Sequence, residues 1–338
     1  MNYTLTNLIL TNFFQNSPFI AEPRIKIPSL VIFQCYFAKT FSHIIYSQSL
    51  GKFQISSSYF SSSLRSSVMI NSDVSYQNQK ITKNIYYFNC AVSFFSCTFI
   101  KCFSSTFGGA IYCKYIAVQL TDCIFRDNSA QIGGALQLLQ VSKSLFERNI
   151  FEHNSAEYNA AVAFEFQDDV NFTIIRNINI SKNSAKNWNG GLRIDFVGGE
   201  FSGLFLSNNN AFACSGFFDY SFLPKNKTIK FSFFGNNSSH EKGAGVTIFH
   251  MCHLSTYQSC VFIENKCETA PNSLSIETIS CIINIINCYF DEEKESAIGM
   301  KYSDNQIILN NSEFSLKGSS FFQEAINSIQ NIIIPPQI

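Results

Sequence analysis

The feature that most constrains this chain is a self-similar segment. Phe125-Arg126-Asp127-Asn128, Phe151-Glu152-His153-Asn154 and Phe262-Ile263-Glu264-Asn265 share a Phe-x-x-Asn core, and Gly133-Gly134-Ala135-Leu136 follows the first of them. Gly108-Gly109-Ala110-Ile111 stands at the equivalent place after Phe99, and weaker copies run through most of the chain. The period is read from one anchor position: Phe14, Phe37, Phe60, Phe99, Phe125, Phe151, Ile180, Leu206, Phe234, Phe262, Phe290 and Phe314. Most steps are 23 to 29 residues, while the 39-residue step from Phe60 to Phe99 implies an inserted or irregular coil between about 63 and 89. A period of this size indicates a solenoid, a propeller or an array.

The local pattern chooses among these. Apolar residues alternate over short stretches, as in Cys123-Ile124-Phe125 and Ile283-Asn284-Ile285, which is the signature of strands. No long window between Phe99 and Phe314 carries a helical stripe, so helical and leucine-rich repeats fit poorly. The expected fold is all-β: a right-handed, single-stranded parallel β-helix of about twelve coils, each stacked roughly 4.8 Å from the last. The expected domain spans 1–318, followed by a C-terminal cap or tail over 319–338. In that tail Phe321, Phe322, Ala325, Ile326 and Ile329 follow helical spacing, so a short helix over about 320–330 is expected to plug the last coil.

Each recurrent letter has a physical reason. In stacked coils every inward position meets its own copy one coil away, so the anchors form an aromatic column, which accounts for 36 Phe among 338 residues. The Asn three places on (Asn128, Asn154, Asn183, Asn209, Asn237, Asn265) suits a bend in the left-handed conformation, and stacked amides can bond from coil to coil. Gly-Gly-Ala supplies a sharp turn and then a small side chain close to the core. Gly190-Gly191-Leu192 repeats it, and Asn159-Ala160-Ala161-Val162 and Gly243-Ala244-Gly245-Val246 are degraded versions.

Charged residues make up 14% of the chain and the net charge is zero, which argues against a nucleic-acid partner, since that requires clustered Lys and Arg. Five of the twelve cysteines, Cys35, Cys97, Cys123, Cys260 and Cys288, lie two residues before an anchor, where other coils have Ser58, Asn149 or Ser232. They read as one rung position filled by small buried thiols, with vertical disulfides as an alternative of demanding geometry. Cys102 replaces the bend Asn of its own coil. His250, Cys252 and His253 look superficially like metal ligands, but the spacing is not that of zinc motifs. Ordinary strand residues are expected there, with no metal and no cofactor. Met1 to Asn7 lacks the features of a signal peptide, and no apolar run reaches the length of a membrane span. The chain thus reads as a fragment of a longer protein, with no direct membrane span of its own.

The Phe-x-x-Asn and Gly-Gly-Ala-Ile elements resemble the two signature repeats of the chlamydial polymorphic outer-membrane proteins, which also occur in surface proteins of some protists. The resemblance covers Phe99 to Asn265 well and the remainder loosely. It implies a right-handed parallel β-helix of the pectin-lyase-like type, used as a cell-surface or extracellular adhesive stalk. Enzymes on that fold need paired carboxylates for glycoside hydrolysis. Gln167-Asp168-Asp169 and Arg24-Ile25-Lys26 are superficially similar to polygalacturonase motifs, but they occur in the wrong order and without the Gly-His-Gly element between them. No catalytic constellation is recognised, and His153 and His240 read as solvated turn residues.

The expectation is a non-enzymatic surface or secreted protein for adhesion or partner presentation, with a protein or glycan ligand. A polysaccharide-acting enzyme and an intracellular scaffold or gene remnant are the alternatives. Insertions in solenoids map to binding surfaces, so the expected contact loops are the 63–89 insertion, with Tyr76, Tyr86 and Tyr87, and Phe217 to Lys227, with Asp219, Tyr220, Lys225 and Lys227.

Overall fold

The computed structural model describes residues 2–13, 19–21, 29–47, 52–71, 91–114, 116–141, 144–165, 172–195, 198–220, 226–249, 254–269, 271–279 and 281–315. Arg24 to Lys26, Tyr76, Tyr86, Tyr87, Asp168, Asp169, Lys225, His250, Cys252, His253 and the expected capping helix fall outside them. Phe14 does too, but the first anchor is corrected all the same, because Leu10 is the register partner of Phe37.

One coil illustrates the architecture. Ala117–Thr121 and Ile124–Arg126 lie in a 22-stranded sheet, Ser129–Ile132 in a six-stranded sheet and Leu136–Leu139 in an eleven-stranded sheet. Strands pair in parallel with their equivalents in the neighbouring coils, as Phe99 with Phe125 and Phe125 with Phe151. The chain is therefore a parallel β-solenoid, as the period requires. It makes about nine turns, fewer than the twelve counted from anchors. The end rungs add strands to the larger sheets without extending the six-stranded one.

The anchors form the expected column. Ring centroids lie 5.2 Å apart for Phe37 and Phe60, 4.7 Å for Phe60 and Phe99, 4.9 Å for Phe99 and Phe125 and 4.6 Å for Phe125 and Phe151. Ile180 and Leu206 continue the column, and stacking resumes from Phe234 through Phe262 and Phe290 to Phe314. Phe60 meets Phe99 directly, and Val68–Asn71 pairs in register with Ile111 to Lys114. The long step is thus a single rung, and its extra residues fall within 72–90.

The bend Asn corrects one sequence expectation. The left-handed residue is the one before it: Asp127, His153, Lys182, Asn208, Asn236 and Glu264 have φ between 50° and 58°. That backbone turn swings the following Asn inward, where it is fully buried and works as a coil-to-coil ladder. Asn154 Nδ2 donates to Asn183 Oδ1 at 3.0 Å and to the Phe125 carbonyl at 3.1 Å, and its backbone N–H donates to Asn183 Oδ1 at 2.8 Å. The same set recurs from Asn128 through Asn154, Asn183, Asn209 and Asn237 to Asn265. Cys102 heads the ladder, its N–H donating to Asn128 Oδ1 at 2.9 Å.

The cysteine position follows the same logic. Here too the preceding residue is left-handed (Gln34, Ser96, Asp122, Ser259, Asn287), and the next side chain offers an acceptor to the N–H one coil back. Cys123 N–H donates to Asn149 Oδ1 at 2.9 Å, Cys35 N–H to Ser58 Oγ at 3.1 Å and Cys260 N–H to Cys288 Sγ at 3.4 Å. Asn, Ser and Cys interchange because each is small and accepts a hydrogen bond. All five cysteines of this column are free and buried, and burial pushes the Cys123 and Cys260 thiols up. Cys281, outside the column, is disulfide-bonded.

The Gly-Gly turns behave as expected. Gly108 and Gly133 have φ of 51° and 66°, and a Cβ on Gly134 would stand 2.2 Å from the Ala160 carbonyl oxygen. Hydrogen bonds align Gly133 with Asn159 and Asn159 with Asn189, so Gly190-Gly191 is displaced by one position from Gly133-Gly134. Asn159 and Asn189 take the left-handed place of the first glycine, with φ of 59° and 55°.

A lateral aromatic box as candidate functional site

In the eleven-stranded sheet, side chains alternate between the core and the outer face. Within Phe217–Tyr220, Phe217 and Asp219 point inward while Phe218 and Tyr220 point outward. Parallel register sets Arg193 beside Phe218, and Asp195, Tyr220 and Phe249 in one outward row. Trp188 ends the strand Ser184–Trp188 of the six-stranded sheet and joins this cluster around the Asn189 bend. Lys242, itself left-handed with φ of 59°, arrives at the corresponding bend two coils later.

Four rings result. Tyr220 and Phe249 stack at 5.6 Å with 10° between their planes, Phe218 lies 6.3 Å from Phe249, and Trp188 lies 5.8 Å from Phe218 and 6.5 Å from Phe249. Two cations sit on them. Lys242 Nζ is 4.3 Å from the Trp188 centroid and 4.6 Å from that of Phe249, and the Arg193 guanidinium is 5.7 Å from Phe218 and 5.4 Å from Tyr220. Contacts at these distances are attractive through the ring quadrupole, by about 0.5–2 kcal/mol each.

Arg193 is also forked onto Asp195, with Nε and Nη2 donating to the carboxylate at 2.8 and 2.7 Å. Asp195 is nearly buried, whereas Arg193 keeps about a fifth of its side chain exposed. Burial, with the Asp195 charge adding to it, pushes the Tyr220 hydroxyl up. Beneath the box Cys214 is buried with Ala213 and Phe218, and burial pushes its thiol up to about 12. Phe218 is buried, so the box offers the partly exposed rings of Trp188, Tyr220 and Phe249, edged by a guanidinium, a carboxylate, an ammonium and a phenol.

Among the residues expected to make contact, Tyr220 belongs to this box. Asp219 and Lys227 do not stand on a loop: both lie on strands with buried side chains and pair with each other inside the solenoid. The alternation that sends Tyr220 outward sends Asp219 inward. His153 and His240 are half-exposed at or beside bends; His240 Nδ1 lies 2.6 Å from Glu268. Trp188, Arg193, Asp195, Phe218, Lys242 and Phe249 had no recognisable signal in the sequence. They come from three coils, and only the stacking register brings them together. The one available hint is Phe217-Phe218-Asp219-Tyr220 itself, a strand with aromatic residues where other coils alternate apolar with polar.

Among the described residues, no helix is long and apolar enough to cross a membrane. Comparison with protein-family models, with curated proteins and with solved structures finds no match.

Proposed function

We propose that this chain is a non-enzymatic, cell-surface or secreted β-solenoid that presents its lateral face to a partner, in the manner of the polymorphic outer-membrane-protein-like, pectin-lyase-like proteins its repeats resemble. The observation that carries the reading is the aromatic box. Four rings gathered from three coils on an outer face are more than packing of the solenoid requires, and aromatic residues with Arg mark interface centres. Ring faces edged by Arg193, Asp195 and Lys242 suit a saccharide, whose apolar face stacks on an aromatic ring while its hydroxyls need both donors and acceptors. The adhesive role itself follows from the resemblance.

Trp188 is the only tryptophan, so its emission reports on the box without labelling. Titration of the full chain with a panel of neutral and acidic oligosaccharides is expected to shift that emission saturably. Lys242→Ala is expected to weaken the binding about tenfold through loss of a central cation. Oligosaccharide binding that leaves Trp188 emission and the Lys242→Ala affinity unchanged would place the contact elsewhere. Release of reducing or unsaturated products from the same panel would favour the enzyme reading.

A further inference from the structure

Among the described residues, the interior of the solenoid holds one buried pair of opposite charges that the lateral face does not use. Asp219 projects inward between Ile194 and Ile248 of the neighbouring coils, and Lys227 projects inward from the facing sheet between Gly199 and Ser255. Both side chains are essentially without solvent exposure, and Lys227 Nζ pairs with Asp219 Oδ1. The second carboxylate oxygen, Asp219 Oδ2, has no hydrogen-bond partner among the described residues, and neither do the buried Tyr257 hydroxyl and Ser255 Oγ. Gly199 contributes no side chain beside Lys227, and a Cβ there would stand 2.1 Å from the Thr173 carbonyl oxygen.

A carboxylate with one unanswered oxygen and an ammonium with few acceptors are poorly served as a buried ion pair. Desolvation of the charges costs several kcal/mol per ion unless every remaining hydrogen bond is satisfied. Burial raises the Asp219 carboxyl, opposed by the Lys227 charge, and the Asp219 charge in turn adds to the burial that raises the Tyr257 hydroxyl. Transfer of one proton from the ammonium to the carboxylate leaves an amine in contact with a carboxylic acid, held there by two strands and shielded from water. Proximity of this kind replaces a bimolecular encounter by an intramolecular one.

We propose that Lys227 and Asp219 are joined by an intramolecular amide bond formed after folding. The Nζ lone pair attacks Asp219 Cγ, a bond from nitrogen to carbon forms, and one C–O bond breaks. The departing hydroxyl leaves as water with a proton from the nitrogen. No atom changes oxidation level, so no oxidant, reductant or cofactor is required. The resulting link ties the strand Phe217–Tyr220 to Asn226–Lys230 of the next coil and replaces two buried charges by one neutral amide.

The test is the mass of the full chain, reduced and denatured, followed by a tryptic map. The expected intact mass is lower than the encoded one by one water. Trypsin is expected to leave the Lys227–Thr228 bond uncut and to release residues 194–225 joined to residues 226–230. Lys227→Arg, which keeps the charge but has no amine to acylate, is expected to return the chain to its encoded mass. A chain of encoded mass whose 226–227 and 228–230 peptides separate freely would overturn the proposal and leave an ion pair only. A water lost without joined peptides, as in cyclisation of Asp219 onto its own backbone, would overturn it equally. Both decisive measurements use the unmodified sequence, so they stand even if Lys227→Arg fails to fold.

Discussion

Asn183→Leu is expected to lower the stability of the solenoid by about 3 kcal/mol, because it opens the ladder in the middle and leaves buried donors without acceptors. Asn183 Oδ1 accepts from the backbone N–H of Asn154 at 2.8 Å and from its Nδ2 at 3.0 Å. Its own Nδ2 donates to the carbonyls of Phe151 and Ser181 and to Asn209 Oδ1, each at 3.0 Å. Leu fits the volume and satisfies none of these. The Asn154 N–H is then buried with no acceptor, which alone costs about 1–3 kcal/mol. In a stack where each coil touches only its neighbours, the loss falls on the two interfaces that flank one coil and uncouples the two halves. Urea unfolding is therefore expected to show a lower midpoint together with a smaller slope or a second transition. Asn208→Leu is the informative contrast. That residue is exposed and left-handed, with φ of 55°, so only the backbone preference is lost, about 1 kcal/mol. Equal effects at the two positions would contradict the ladder.

The second large effect is expected at the anchor column. Phe125→Ala removes a fully buried ring stacked on Phe99 at 4.9 Å and on Phe151 at 4.6 Å. Phe→Ala in a close-packed core costs about 3–5 kcal/mol, from the lost transfer energy and the cavity left behind. Each stacked pair adds about 0.5–1.5 kcal/mol beyond area alone. Phe125→Leu is expected to cost about 1.5 kcal/mol or less, since Leu206 already holds this position in another coil. Chemical denaturation of both variants against the parent sequence measures the difference. A Phe125→Ala chain that unfolds with the parent midpoint would mean that the column is not the core.

These two substitutions also mark what was legible from residue order. Phe125 and Asn183 could be picked out because a solenoid repeats each requirement once per coil, so the anchor and the amide recur at a fixed interval. The local conformation was read one residue late. The left-handed position is filled by Asp127, His153, Lys182 or Glu264, whose side chains face solvent and vary freely. The recurrent Asn was the partner of that bend and not the bend itself. Gly133 was legible for the opposite reason: both its φ of 66° and the crowding around it favour glycine over other residues.

The candidate sites were much less visible. Trp188, Arg193, Phe218, Lys242 and Phe249 are far apart in sequence and converge only through stacking. Asp219 and Tyr220 are adjacent in sequence and have opposite destinations, because a strand sends neighbours to opposite faces. Reading both as one exposed loop overlooked that alternation. Lys227 shows the same limit. A lysine at the end of an expected loop reads as solvated until the register between Gly199 and Ser255 sets it inside the solenoid.

The measurement that tests the stacked solenoid most directly is a nuclear Overhauser experiment on the side-chain amides of the Asn ladder. The account predicts contacts between the amide protons of Asn128 and Asn154, which are 26 residues apart, and again between Asn154 and Asn183, with slow exchange at each. Side-chain amides that exchange as fast as free asparagine, with no contact one coil away, would contradict the parallel stacking on which every other inference depends.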